Sequence, residues 1–96
     1  STFKTHRQRF ELSYGTGWCV GTYGEDRLEI SPGAVVEKQT FGVADRIAKI
    51  FRVQPADGIL GLAFPSIAAD HVTPPFYNLL PQLDEQIFTF YMERWV

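Results

Sequence analysis

Cysteine is almost absent from this chain of 96 residues, since Cys19 is the only one. A single thiol cannot form an internal disulfide, and it excludes a Cys-x-x-Cys metal or redox site. We expect Cys19 to be a buried free thiol, because unpaired cysteine packs as a small apolar side chain. The alternative is a partner cysteine on a segment or chain outside this sequence.

Long hydrophobic runs are also missing, and none approaches the ~20 residues that a membrane-spanning helix needs. The sequence therefore predicts no membrane association. The first seven residues are polar and basic with no hydrophobic stretch after them, so no signal peptide is predicted. Met92 is the only methionine, and the chain is expected to be a processed or excised piece of a longer one. No Asn-x-Ser/Thr occurs, so N-glycosylation is not expected.

The chain also lacks a large excess of either sign of charge, because the net charge is -2 and the isoelectric point is about 5.6. This balance gives no electrostatic basis for binding nucleic acid. His6 and His71 lie far apart in sequence with no cysteine cluster, so no metal site is predicted. There is no Gly-x-Ser-x-Gly motif either. The residues by themselves predict no cofactor and no catalytic group.

Aromatic residues, in contrast, make up 15% of the chain and hydrophobic residues 45%. This composition favours β-strands around an apolar core, and the length suits one domain. Tyr-Gly-Thr-Gly at 14–17 separates two β-prone runs, which predicts a hairpin with a tight tip. Such a tip, with an aromatic at its base, is able to fold over a ligand. The alternative is a surface hairpin with no role.

The rest of the pattern predicts an antiparallel meander with one or two short helices. In chain order we predict a polar lead-in at 1–9, strands at 10–14 and 18–23, a turn at 25–26, strands at 27–30 and 34–44, a loop with one helical turn at 45–56, a buried strand at 57–64, an amphipathic helix over 76–83 and a final strand at 87–92. Thr73 is a possible cap of that helix. Gly58 and Gly61 are expected where another segment passes close, and Asp57 is expected to be buried or half-buried and hydrogen-bonded.

Four motifs occur in one order along the chain: Tyr-Gly-Thr-Gly at 14–17, Gln-Thr-Phe-Gly at 39–42, Asp-Gly-Ile-Leu-Gly-Leu-Ala-Phe-Pro at 57–65 and Thr-Pro-Pro-Phe-Tyr-Asn-Leu at 73–79. The series resembles the pepsin and cathepsin D family of aspartic endopeptidases, and the similarity runs over about residues 10–92. The resemblance implies a mainly β fold. Specifically, it implies one incomplete domain over 1–96, the second half of a pepsin-like N-terminal lobe.

The resemblance implies only part of an enzyme. Family members have two lobes, each with one catalytic Asp in an Asp-Thr-Gly-Ser/Thr motif, and the pair shares a proton to activate a water. No Asp-Thr-Gly occurs in this sequence. The resemblance thus implies a secreted or lysosomal protease whose first strands and C-terminal lobe are missing here. This stretch alone is predicted to be inactive.

The resemblance assigns substrate-binding positions residue by residue. Tyr14 matches the tyrosine of the substrate-covering flap, and Gly15 and Thr16 match the tip positions whose N–H groups bond to substrate carbonyls. Ile59 matches a wall of the pocket beside the scissile bond, and Phe51, or its neighbour Ile50, contributes to the same pocket. Trp18 and Cys19 depart from the small or aliphatic residues that the resemblance leads us to expect after the tip.

Two other readings stay open. The chain could be a short, non-catalytic protein that keeps a peptide-binding β surface, or a truncated product with no function of its own. An Asp-Thr-Gly-Ser/Thr motif encoded upstream in the natural protein would discriminate them from the protease. A further expectation concerns folding: without the first strands, an apolar face around 59–64 is uncovered, which favours loose packing or self-association.

Overall fold

The computed structural model describes residues 1–94 and is organised around one three-stranded antiparallel sheet. Strand β1 spans Lys4–Tyr14, β2 spans Gly17–Ser31 and β3 spans Ala34–Ile47. The order β1-β2-β3 follows the chain, so the predicted meander is confirmed. Two-residue turns join the strands, and Gly33 in the second turn has φ +86°, a conformation that glycine adopts without a steric penalty.

Strands β1 and β2 are longer than the sequence pattern indicated. Strand β1 begins within the predicted polar lead-in, because Lys4 and Thr5 already pair with Glu25 and Gly24. The predicted turn at 25–26 is wrong as well, since β2 continues through it and absorbs the change in register between Asp26 and Leu28. Backbone pairing with a neighbouring strand outweighs the low strand preference of these charged residues.

The core of the sheet lies on the face that carries Phe10 and Tyr23. Both residues are about 95% buried, and their ring centroids are 5.3 Å apart. Gly42 lies beneath Phe10, and a Cβ at this position would stand 2.7 Å from the end of the phenyl ring. The glycine of the Gln-Thr-Phe-Gly motif therefore makes room for an aromatic side chain. Val36, Ala48 and Leu79 complete the buried apolar set.

Short helical segments follow the sheet. Helix α1 spans Lys49–Arg52, which confirms the single helical turn, although β3 extends to Ile47 where a loop was predicted. Helix α2 spans Pro75–Leu79 and ends in a 3-10 turn, Leu80–Gln82, where Pro81 cannot supply a backbone N–H. Further 3-10 turns span Pro65–Ile67 and Ala69–His71. None of the described helices is long and apolar enough to cross a bilayer.

Side-chain hydrogen bonds attach helix α2 to β3. Gln39, only 3% exposed, donates through Nε2 to the carbonyl oxygens of Thr40 and Thr73, and accepts at Oε1 from Asn78 Nδ2. Thr73 thus contributes its carbonyl and does not cap the helix, whose cap position is Pro74. Gln82 bonds to both the N–H and the C=O of Val35, as a neighbouring strand would.

Two predicted strands are absent from the described residues. The stretch 57–64 is irregular and exposed, with Ile59 at 65% and Phe64 at 68%. The stretch 87–92 is also irregular, and Met92 is 84% exposed. A strand forms only beside a partner that satisfies its backbone groups, and neither stretch pairs with another described segment. Gly58 and Gly61 have open space around them, so the predicted close approach is wrong.

The total accessible surface reflects these uncovered stretches. It is 7995 Å², whereas a compact protein of this mass exposes about 5,600 Å². Apolar side chains at 59–67 and 87–92, among them Ile67 and Phe90, are part of this exposed surface. The expected uncovered apolar face is therefore a feature of this structure.

Candidate functional site

The hairpin between β1 and β2 has the tight tip that the sequence predicts. Tyr14 pairs with Gly17, which leaves Gly15 and Thr16 as a two-residue turn. Gly15 has φ +54°, and glycine at the first central position is typical of a hairpin turn that matches the strand twist. Both tip residues are exposed, and no atom stands near the Cα of Gly15 where a side chain would be. The tip thus presents backbone to solvent.

Tyr14 and Phe51 meet at the base of this tip. Their ring centroids are 6.5 Å apart with the planes at 78°, the edge-to-face arrangement that aromatic pairs prefer. Tyr14 remains 45% exposed and so keeps a free face. Ile50, the alternative to Phe51 in the sequence analysis, is 42% exposed. The ring of Phe51, four positions beyond the end of β3, is the one that contacts Tyr14.

Local backbone geometry explains how Phe51 reaches the hairpin. Ala48, which is 93% buried, follows β3 and donates its N–H to the carbonyl oxygen of Trp18 at 2.8 Å. Phe51 N–H donates in turn to the carbonyl of Ala48 at 3.0 Å, which closes the turn of α1. The ring then lies over Gly17, the residue that follows the tip.

Ile59 lies in a different place from the tip residues. It lines a groove of about 390 Å³ together with Thr40–Gly42 and the segment 72–75. None of Tyr14, Gly15, Thr16 and Phe51 lines that groove. The structure therefore brings four of the five predicted substrate-binding residues together, and Ile59 stands apart on the uncovered stretch.

Other sequence expectations fare differently. Asp57 is exposed, so the expectation of a buried or half-buried carboxylate is wrong; its neighbours in the unpaired stretch do not cover it. Cys19 is half-buried, less than a core thiol would be, and is free in the described chain. His6, in the predicted polar lead-in, is half-buried and lies 3.5 Å from the Glu25 carboxylate. Among residues 1–94, no group of three or more metal-ligating side chains comes together.

One polar contact escapes sequence reasoning altogether. Tyr23 Oη donates to Asp70 Oδ2 at 2.6 Å, which ties the core face of β2 to the loop before α2. Burial, and then the bond to Asp70, raises the pKa of Tyr23 to about 12. Asp70 and His71 adopt φ of 53° and 58°, a left-handed conformation uncommon for side chains other than glycine. No local signal connects residues 47 positions apart.

The outer face of the sheet carries a second polar contact. Arg9 binds the Asp45 carboxylate through both terminal nitrogens, at 2.7 and 3.4 Å, across the intervening Thr22 on β2. The hydrogen bond from Arg9 lowers the pKa of Asp45. Both groups are solvent-exposed, so this ion pair contributes little to stability. Asp45 thus pairs across the sheet with a cationic side chain.

Comparison with known proteins adds the following. A family model described as eukaryotic aspartyl protease matches residues 1–95. Aspartic protease 17 of Caenorhabditis elegans is 40% identical over 94 residues, which cover 98% of this chain and 24% of the relative. Vacuolar protease A of Aspergillus fumigatus is 36% identical over 94 residues, 96% of this chain and 24% of the relative. Cathepsin D of Bos taurus is 35% identical over 105 residues, 98% of this chain and 27% of the relative. The chain spans about a quarter of the length of these curated relatives.

Proposed function

Because this chain belongs to the eukaryotic aspartyl protease family, we propose that it is the flap-bearing part of an aspartic endopeptidase that hydrolyses peptide bonds in polypeptides. Tyr14, Gly15 and Thr16 cover the substrate, with Phe51 beside them. The observation that carries this proposal is the tip itself: a two-residue turn with exposed backbone, next to a half-exposed tyrosine held edge-on by a phenyl ring.

The tip chemistry suits an extended peptide. Backbone N–H groups of the two turn residues lie beyond the last strand pair and can donate to substrate carbonyls, and glycine at 15 lets another backbone approach closely. An exposed aromatic beside them supplies an apolar contact for a substrate side chain. Such contacts give affinity through main-chain hydrogen bonds and are largely independent of substrate sequence.

The catalytic carboxylates come from outside this chain in the proposal. The sequence holds no Asp-Thr-Gly motif, and the reaction requires two aspartates that share one proton and activate a water. The 96 residues alone are therefore inactive. Asp57 does not replace either aspartate, because it stands in Asp-Gly-Ile and is exposed far along the chain from the tip.

The remainder of the protease is the proposed partner of the uncovered stretches. The relatives are about four times longer than this chain, and its surface exceeds that of a compact protein of equal mass. Packing of further strands against 57–64 would satisfy its backbone and bury Ile59 as a wall of the cleft. We propose a secreted or lysosomal location, which agrees with a relative that is named for the vacuole.

The intact mass of the natural protein tests the proposal. An antibody against residues 1–20 captures the protein from its source, and sequencing of its peptides follows. We expect a mass about four times 10.9 kDa and an Asp-Thr-Gly-Ser/Thr motif N-terminal to Tyr14. A mass near 10.9 kDa would overturn the protease assignment and leave the non-catalytic peptide-binding protein.

Cleavage of a peptide substrate then tests the hairpin. In the natural-length protein, we expect Tyr14→Ala to lower kcat/KM at acid pH by more than about tenfold, because the residue that closes over the substrate is lost. The matched control is Ser13→Ala, which alters the exposed opposite face of the same strand. Equal activity of the two variants would remove Tyr14 from the substrate site.

A further inference from the structure

We propose that Phe51 is a positioning residue that holds Tyr14 in place. Gly17, because it has no side chain, leaves the space that the Phe51 ring occupies. The inference rests on the proposed role of the hairpin and adds to it a residue, Gly17, with no previous role. It also changes the role of Phe51 from a wall of the pocket to the support of the flap tyrosine.

Position 17 is glycine because of the space available there. Its φ is not in the left-handed region, unlike that of Gly15, so the backbone does not require glycine there. Space does: a Cβ at 17 would stand 2.5 Å from Cζ of Phe51, 2.8 Å from Cε2 and 3.1 Å from Cε1. Real Cβ atoms do not approach carbon this closely, so any side chain at 17 displaces the ring.

The Phe51 ring lies against two parts of the hairpin. The outer half of the Phe51 ring lies over Gly17, and the ring meets Tyr14 edge-to-face. Tyr14 and Gly17 are the pair that closes the tip. The Phe51 ring therefore lies against both ends of the turn. It restricts rotation of the Tyr14 side chain toward that side.

Backbone hydrogen bonds hold Phe51 near the hairpin. Its helix α1 is a single turn, but the buried Ala48 fixes the start of that turn by donating to Trp18 O on the same hairpin. Backbone hydrogen bonding and ring packing thus attach α1 to the hairpin at adjacent residues. Tyr14 is pre-ordered before a peptide binds, which lowers the entropy cost of closing over it.

A double-variant design tests this in the natural-length protein. Gly17→Ala is expected to lower kcat/KM for peptide cleavage between about tenfold and 100-fold per folded molecule, because the displaced ring no longer holds Tyr14. Phe51→Leu removes the Cε and Cζ atoms that the new Cβ would strike. It also removes the ring that supports Tyr14, so Phe51→Leu alone is expected to lose kcat/KM to a similar extent. The combination Gly17→Ala with Phe51→Leu is expected to lose no more than either single variant, because both changes remove the same support.

A merely structural role predicts a different pattern. In that case Gly17→Ala lowers the unfolding temperature and the folded fraction, but KM and kcat of the folded molecules equal those of the wild type. That result, or a double variant in which the two single losses of kcat/KM multiply, overturns the proposal. The control Ser13→Ala is expected to match the wild type in both stability and cleavage.

A readout independent of proteolysis separates this inference from the proposed function. With Tyr and Phe isotopically labelled, the wild type is expected to give a nuclear Overhauser cross-peak between the rings of Tyr14 and Phe51. Gly17→Ala is expected to remove it. Persistence of the cross-peak in Gly17→Ala would refute the claim that the Phe51–Tyr14 contact needs glycine at 17, whether or not the protein proves to be a protease.

Discussion

The bond between Tyr23 and Asp70 gives the sharpest test of how the loop before α2 is held. Tyr23→Phe deletes only the hydroxyl that donates to Asp70 Oδ2 at 2.6 Å. The phenyl ring stays packed against Phe10, so the apolar burial of a residue that is only 6% exposed is kept. The change in the free energy of unfolding therefore reports the hydrogen bond.

The expected magnitude follows from the surroundings of the two groups. A hydrogen bond to a charged partner contributes about 1.5–3 kcal/mol, but the Asp70 carboxylate is exposed and regains water when the hydroxyl is removed. We therefore expect a loss of about 1–1.5 kcal/mol. Urea unfolding of the two proteins, followed by fluorescence, measures it. Tyr91→Phe is the matched control, because Tyr91 is 86% exposed.

The pH dependence has a definite sign. Burial and the bond to Asp70 raise the pKa of Tyr23 from 10.0 to about 12, so folding favours the protonated phenol. This contribution is fully present below pH 10 and is lost as the pH rises through 12. The stability difference between wild type and Tyr23→Phe is therefore expected to shrink over that window. Equal urea midpoints for both proteins at neutral pH would refute the reasoning.

Two further substitutions test the packing around the motifs. Gln39→Met is expected to cost about 2–3 kcal/mol, because it leaves the amide of Asn78 and two carbonyls without their buried partner; urea unfolding checks it, and a loss below about 0.5 kcal/mol would contradict the network. Gly42→Ala is expected to cost about 1–3 kcal/mol, because its Cβ meets the Phe10 ring at 2.7 Å, whereas Gly58→Ala has open space; similar unfolding midpoints for these two alanine variants would contradict the close contact.

Local features of this protein were predictable from its sequence. The hairpin tip at 14–17 and the turn at Gly33 follow from glycine placement, and both are present. The meander follows from alternating runs joined by short turns. Helix α2 and its early end follow from the spacing of apolar residues and from Pro81. In each case the residues that form the feature are neighbours in the chain.

Strand existence was predicted less well where it depends on partners. The apolar run at 57–64 has the composition of a buried strand, yet it is irregular and exposed because no described strand lies beside it. Conversely, residues 4–9 look too polar for a strand, yet three of them pair with β2, at Thr22, Gly24 and Glu25. Composition does not decide such cases, since backbone pairing is a property of two segments at once.

The sequence by itself determined the family, through motifs whose order is independent of any contact between them, and it predicted the four tip and base residues of the candidate site. Only the tertiary structure decided that Phe51 rests on Gly17, that Tyr23 reaches Asp70 and that Ile59 stands apart from the tip. Phe51 is 34 positions from Gly17 and Asp70 is 47 positions from Tyr23, whereas Ile59 is about 45 positions from the tip. Their distances are set by how the hairpin, α1 and the following loop pack on one sheet, and no local pattern of residues carries that information.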